Sequence, residues 1–297
     1  MNYAMRARLI KQFYHLLSYA LLIGVGLIVI TPLIAMATTS IKQMSEYNIW
    51  PIKILPDVPQ WSNFAAVFEM APYLRVALRT AGLGLLVTLI VTASSSLIGF
   101  AFARYPVKGS RQIFFIVIGL MIIPYIVVLI PQYILYSRLH LTNTYWPWIF
   151  NAIAGTPLYI FLFRQIFLSF PKELEDAAEV DGAGPFRTYW QIFLPNAKPV
   201  IATVMIFAFG AVWGDYMMPL ILLNDDKTLL SVKIATSYSN PQGVWLITIA
   251  MAANILYMLP LIIIFFLAQK HIIKGVVTSG LKGYIVLIRA EVWKRIV

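Results

Sequence analysis

The sequence predicts an all-α membrane protein with six transmembrane helices, and three observations carry that expectation. Only 12% of its 297 residues are charged and 60% are hydrophobic, against about 25% charged in an ordinary soluble domain. The apolar residues gather into six long runs, each near the roughly 20 residues that a helix needs to cross a hydrocarbon core. The formal net charge of +11 is dispersed between those runs instead of clustered on one face, which reads as membrane topology and not as nucleic-acid binding. With no cysteine in the chain, there is no disulfide framework, thiolate metal site or cysteine nucleophile.

Arg6, Arg8 and Lys11 precede the first uncharged run, at 16–39. A signal peptide is the competing reading, because Ala35-Met36-Ala37 resembles a small-residue cleavage site, but the apolar part exceeds the usual 7 to 15 residues of such a leader. Residues 41–79 carry Pro51, Pro56, Pro59 and scattered charges. They predict an outer loop that ends in a short helix near 61–68. The second span, 80–103, presents Gly82, Gly84, Ser94, Ser95, Ser96 and Gly99 as a small-residue surface for close helix packing. A tight basic loop, 104–111, leads to a third span at 112–137, where Pro124 and Pro131 predict kinks. Carbonyls freed there need other helices or a water-filled path against them. The fourth span, 146–168, is interrupted by Asn151, Gly155 and Pro157; the fifth, 200–223, contains Trp213, Asp215, Tyr216 and Pro219; the sixth, 244–268, contains Asn254 and Pro260.

An even number of spans puts both termini on one side. Of the 23 Lys and Arg, that side holds all but Lys42, Lys53, Arg75, Arg79, Arg138, Lys227 and Lys233. The positive-inside rule therefore places both termini, the loop at 104–111 and the segment 169–199 in the cytoplasm. That segment nonetheless carries five acidic residues, Glu173, Glu175, Asp176, Glu179 and Asp181, against Lys172, Arg187 and Lys198. A local acidic excess of this kind suits a basic partner surface.

Within 169–199 the pattern predicts two short helices around a break. Pro171 fits a first helical turn, and the acidic residues after it suit the positive end of the helix dipole. Leu174, Ala177, Ala178 and Asp181 fall at i, i+3, i+4 and i+7, a narrow stripe of small residues. Gly182 supplies a helix stop, and Pro185 opens a second helix that Pro195 ends. The run Asp176-Ala177-Ala178-Glu179-Val180-Asp181-Gly182, followed without a gap by Ile192-Phe193-Leu194-Pro195, resembles the conserved cytoplasmic loop of ABC importer permeases, and the carbohydrate-uptake permeases of the MalG type in particular. Asp176 stands where that pattern begins with Glu. The run Leu141-Thr142-Asn143-Thr144-Tyr145 and the stretch 269–283 are also similar to that family; the tail from 284 to 297 extends past its usual end.

The resemblance implies a single permease domain over 1–297, with a cytoplasmic coupling-helix loop at 169–199 between helices 4 and 5, outer loops at 41–79 and 224–243, and a tail at 269–297. It implies that Leu174, Asp176, Ala177, Ala178, Glu179, Asp181, Gly182 and Pro195 couple the chain to an ATPase. Implied partners are a second permease subunit, two ABC ATPases, an extracytoplasmic solute-binding protein that the 224–243 loop contacts, the lipid bilayer and a carbohydrate substrate, with no nucleic acid. The implied location is the bacterial cytoplasmic (inner) membrane, crossed several times. The implied activity is ATP-driven uptake of a sugar, an oligosaccharide above all.

The chain itself has no GxxxxGK[ST] loop to cradle a nucleotide. ATP and Mg are therefore expected in the partner ATPases, and no cofactor or metal in this chain. No HExxH or GxSxG occurs, and His15, His140 and His271 lie far apart, so a membrane-embedded enzyme has no constellation to use. An ion-coupled secondary transporter is the alternative. It calls for coupling-ion sites and often for two related halves, whereas Asp215 is the one acidic residue within a predicted span. Asp215 either lines the pathway or reaches the interface; Trp213 and Tyr216 either stack on a sugar or belong to the interfacial aromatic belt. Asn151 is the remaining pathway candidate. Gly214 stands where the family commonly has Asn.

Overall fold

The structure is a computed structural model that describes residues 3–47, 50–51, 53–105, 107–267 and 269, with side chains from residue 12 onward. The expectations for the basic amino-terminal side chains, His271 and the tail beyond 269 lie outside the described residues. The chain divides into two compact units: one joins the residues up to Tyr73 with Ile234–Leu259, the other joins Leu74–Lys233 with the residues from Pro260 on. Among the described residues the regular structure is helical, apart from one isolated bridge between Ser239 and Trp245.

In the first unit, α1 (Tyr3–Ser40) contains the apolar stretch Gln12–Ser40, whose most hydrophobic window is wholly unburied within its own chain. Such a helix, apolar all round, needs lipid or another subunit as its solvent. Beyond it come α2 (Met44–Tyr47) and α3 (Ser62–Met70). The predicted outer loop is tied back on itself: Asn63 Nδ2 donates to the carbonyls of Ser40 and Lys42 at 2.8 and 2.9 Å, and Gln60 N–H donates to Ile41 O at 2.7 Å. Val67, Tyr238, Ala252 and Ala253 make the small buried centre of this unit.

The second unit is built on α4 (Tyr73–Arg104), which enters it from Leu74. Its small residues do more than allow close packing. The fourth apolar run is two helices, α7 (Trp146–Ala154) and α8 (Pro157–Leu168), parted at Gly155. The break frees backbone groups that hydrocarbon cannot satisfy. Ser94 Oγ donates to Ala152 O at 2.7 Å, and Ser95 Oγ accepts from Thr156 N–H at 3.1 Å. Gly99 lets α8 touch the α4 backbone, since a Cβ there would stand 2.7 Å from Phe163 Cβ and 3.0 Å from Arg164 N.

The third run is α5 (Ser110–Gly119), a 3₁₀ turn (Leu120–Ile122) and α6 (Tyr125–Arg138), bent by 100°. Proline disfavours the helical conformation in the residue before it, and Ile123 is extended ahead of Pro124. Pro131, expected to add a kink, sits inside the continuous α6.

After α9 (Glu173–Val180) and α10 (Pro185–Thr188) the chain makes a π-helical turn (Tyr189–Phe193), then α11 (Leu194–Asn196) and α12 (Lys198–Trp213), with an 81° bend before α12. The second helix thus continues through Pro195 instead of ending at it. Pro195 has no N–H for the ordinary bond to Gln191, and Leu194 N–H reaches back to Tyr189 O, the wider π spacing. The fifth run breaks once more between α12 and α13 (Met217–Leu222), after which come α14 (Leu230–Ser237) and α15 (Ile247–Leu267). Among the described residues, four helices are long and apolar enough to cross a membrane, or up to six if each bent pair is one span.

Candidate functional site

The 169–199 loop is fixed to the end of α4 by one side chain. Arg104, 6% exposed at its side chain, donates through Nη2 to the carbonyls of Phe167 and Phe170, both at 2.6 Å. Phe167 belongs to the last turn of α8 and Phe170 follows just past its end, where a helix leaves acceptors unsatisfied and favours a cation. Arg104 Nε also lies 3.2 Å from Glu175 Oε1 of α9, and its guanidinium stacks 4.8 Å above the Phe193 ring. One buried cation therefore gathers α8, α9 and the π-helical turn. Breaking a buried pair of this kind typically costs about 3–5 kcal/mol.

Around it packs a knot of rings. Phe100 meets Phe167, Tyr189 and Phe193 with centroids 5.1 to 5.7 Å apart. Tyr189 and Phe193 are buried on the wide turn, and the Tyr189 hydroxyl shares a 2.7 Å hydrogen bond with Ser96. All three consecutive serines of α4 are thus committed, two to the helix break and one to this loop.

The helix end at Gly182 is a Schellman motif. Gly182 N–H donates to Glu179 O at 3.0 Å and Ala183 N–H to Ala178 O at 2.8 Å, with Gly182 at φ +71°. Ala178 is buried within this chain, whereas Ala177, Asp176, Glu179 and Asp181 are exposed and Leu174 is half-exposed. The small-residue stripe is thereby divided: Ala178 seats the helix on its own chain, and its neighbours face outward. Pro195 is exposed on the following turn.

Between the two short helices opens a cleft of about 420 Å³ lined by Tyr105, Glu175, Asp176, Glu179 and the 183–185 turn with Thr188. Burial, and then the carboxylates of Glu175 and Glu179, push the Tyr105 hydroxyl above its usual pKa. Beside it Val180, Phe186 and Trp190 are 87, 69 and 60% exposed. The cleft is acidic and is rimmed by exposed apolar side chains, the combination of charge and apolar area found at protein–protein contacts. Helical periodicity singles out none of the three, since Val180 lies off the stripe at the end of α9, Phe186 belongs to α10 and Trp190 to the π-helical turn.

The four pathway candidates separate. Asn151 lines a small cleft of about 120 Å³ with Trp148, Thr156 and Tyr159, and its Oδ1 accepts from the Tyr136 hydroxyl at 2.8 Å. Asp215 stands behind that cleft. Its Oδ2 accepts from Trp148 Nε1 at 2.9 Å and its Oδ1 from Met218 N–H at 3.2 Å, so it holds a lining ring and caps α13. Trp213 is buried and stacked on Phe209. Tyr216 is half-buried at the start of α13 and away from the cleft lining. Trp148 and Tyr159, unmarked within the fourth apolar run, are the rings at the cleft.

The segment after α13 is anchored by bonds to main chain. Lys227 Nζ donates to Asn143 O at 3.0 Å, the Tyr145 hydroxyl to Lys227 O at 2.8 Å, and Arg79 to Asp226 O at 2.5 Å. Asn143, at φ +54°, donates its N–H to Leu222 O and accepts from Asn224 N–H. Lys233 pairs with Asp225 at 2.7 Å, leaving Asp225 80% exposed.

Residues 95–278 match the family described as binding-protein-dependent transport system inner membrane component. The chain is 31% identical over 257 residues to the melibiose/raffinose/stachyose import permease protein MelC of Bacillus subtilis (strain 168), covering 85% of this chain and 91% of that one. It is 29% identical over 278 residues to the arabinooligosaccharides transport system permease protein AraQ of Halalkalibacterium halodurans, covering 90% and 98%. Among solved structures it is similar to a chain of a bacterial ABC transporter involved in the import of the acidic polysaccharide alginate, with a TM-score of 0.74 at 22% identity, covering 88% of this chain and 96% of that one. That last likeness gives the fold.

Proposed function

The chain belongs to the family of binding-protein-dependent transport system inner membrane components, and from that premise we propose that it passes a carbohydrate, an oligosaccharide above all, through the inner membrane. The family is the permease subunit of ABC importers, and its ATPase is a separate subunit. The sugar assignment follows the relatives, which are named for arabinooligosaccharides, maltodextrin and melibiose or raffinose. A second permease, two ATPases carrying ATP and Mg, and a solute-binding protein complete the proposed assembly. Each bent helix pair counts as one span, which makes six, with both termini and 169–199 in the cytoplasm and 224–243 outside.

What supports this reading best is the loop held by Arg104. Its sharp Gly182 end, acidic cleft and exposed Val180, Phe186 and Trp190 suit α9 as a coupling helix seated on an ATPase. Leu174, Asp176, Ala177, Glu179 and Asp181 face that partner, Ala178 and Gly182 fix the angle of the helix, and Pro195 sets the wide turn behind it. ATP-driven closure of the ATPases then pulls on the end of α8 through Arg104 and exchanges access between the two sides, a two-state change that ligands bias by differential affinity. In the membrane, Asn151, Trp148 and Tyr159 line the path, while Asp215 positions Trp148. Trp213 and Tyr216 support α12 and α13.

The test is uptake of labelled oligosaccharide into vesicles containing the full complex and the binding protein. The reading predicts uptake that requires ATP inside and binding protein outside. Uptake driven by a proton or sodium gradient without ATP would replace it with the ion-coupled alternative.

A further inference from the structure

A second cleft, of about 450 Å³, lies between α5 and α8 and plays no part in the coupling loop or the path. Arg111 and Arg164 line it together with Ser110 and Gln165, and its wall is Phe102, Phe114, Phe115, Ile118 and Phe161. No carboxylate lines it. We propose that this cleft binds the phosphate head group of an anionic phospholipid from the leaflet nearest the coupling loop.

Depth gives the first argument. Arg164 lies four residues before the end of α8 and Arg111 is the second residue of α5, so both guanidiniums sit within about one helical turn, roughly 6 Å, of a helix end. Phe114, Phe115 and Ile118 lie one to two turns further along α5, and Phe161 lies about one turn back along α8. The cleft is therefore cationic at head-group level and aromatic below it, the order of charge and hydrocarbon in one lipid molecule. That end of α8 is also the coupling-loop end, since Arg104 bonds the carbonyls of Phe167 and Phe170 at and just past it.

The state of Arg164 gives the second. Its guanidinium is held 4.2 Å above the Phe114 ring, and its Nε is buried with no hydrogen-bond partner among the described residues. Arg111 stacks less closely, 5.7 Å from Phe115. An arginine has five N–H donors in a fixed fork suited to phosphate oxygens, and here the aromatic ring pre-orders the fork. Phe115 and Ile116 are 61 and 66% exposed on the same helix, a surface whose natural contact in a bilayer is an acyl chain. Anionic lipid is the source of phosphate that satisfies both halves of the cleft.

The experiment compares the full complex in nanodiscs of phosphatidylcholine alone and of phosphatidylcholine doped with phosphatidylglycerol, with inorganic phosphate as a separate arm. Thermal unfolding and native mass spectrometry are the readouts. Phosphatidylglycerol is expected to raise the unfolding temperature and to remain as one bound molecule per chain, while phosphate does neither. Arg111→Gln or Arg164→Gln should weaken the apparent lipid affinity on the order of fivefold each, and the pair about thirtyfold. Arg164→Lys, which keeps the charge but loses the fork, separates loss of binding from loss of folding by retaining part of the response. An unchanged lipid response in the double variant would overturn the proposal, as would equal stabilisation by inorganic phosphate, which would assign the cleft to a soluble anion. Loss of a partner subunit from the double variant, with the lipid count unaltered, would assign it to a protein contact and overturn it equally.

Discussion

The loop at 169–199 and the segment at 224–230 are both polar interruptions between apolar runs, yet they are held by opposite means. The first is gripped from beneath by Arg104 and a cluster of rings, Phe100, Phe167, Tyr189 and Phe193. The second is laced to main-chain carbonyls by Arg79, Tyr145 and Lys227. Packed rings interlock and transmit displacement, so the first loop can carry force into α4 and α8. Separate polar bonds fix a shape without a hard core, which suits a surface that another protein reads.

The largest expected effect breaks the first arrangement. Arg104→Ala removes the Glu175 ion pair, both carbonyl bonds and the contact with Phe193, and should destabilise this end by about 3–5 kcal/mol. The expected outcome is a complex that loses its ATPase on purification and a chain that unfolds at lower temperature; Arg104→Lys should recover part of both. Unaltered retention would mean that the ring cluster alone holds the loop.

Gly182→Val comes next. A Cβ at Gly182 meets nothing within 4 Å, so its cost is the left-handed backbone alone, on the order of 1–3 kcal/mol. Transport or coupled hydrolysis should fall sharply while membrane insertion stays normal, and Gly182→Asn should be much milder because Asn tolerates that conformation. Equal behaviour of the two variants in combined uptake and ATPase assays would remove the backbone turn from the account.

These two sites also show what the sequence made legible. The end of α9 at Gly182 was readable because a glycine stop is local, and the apolar runs were readable because span length is a simple count. Arg104 read only as a topological charge, because its acceptors lie 63 and 66 residues away. Ser94 to Ser96 read as packing for the same reason: the broken helix that consumes their hydroxyls is distant in sequence. Small periodic residues marked a docking stripe on α9, but periodicity carries no direction, and Ala178 turned out to face its own chain. The 100° bend at Pro124 exceeded a kink because a 3₁₀ turn precedes it.

Two smaller effects sharpen the other side of the comparison. Asp215→Asn keeps one acceptor oxygen where Met218 N–H and Trp148 Nε1 each use their own, so one of the two bonds is lost; a positioning role predicts a stability loss of about 1–2 kcal/mol, with Asp215→Ala worse. A large drop in substrate transport with Asn, at unaltered stability, would instead put the carboxylate in contact with sugar. Lys227→Met should cost about 1 kcal/mol or less and reduce stimulation of ATPase activity by loaded binding protein, with assembly intact. Undiminished stimulation would leave that segment as a connection.

The central claim, that the exposed face around α9 docks an ATPase, is tested most directly by proximity. The chain has no cysteine, so a single cysteine at Val180 or Phe186 reports alone. Cross-linking each variant through a cysteine on the ATPase surface, with and without ATP, should give a covalent permease–ATPase pair whose yield changes with nucleotide. Labelling of either position by an impermeant reagent added outside intact cells, or no cross-link in a complex that retains its ATPase, would contradict it.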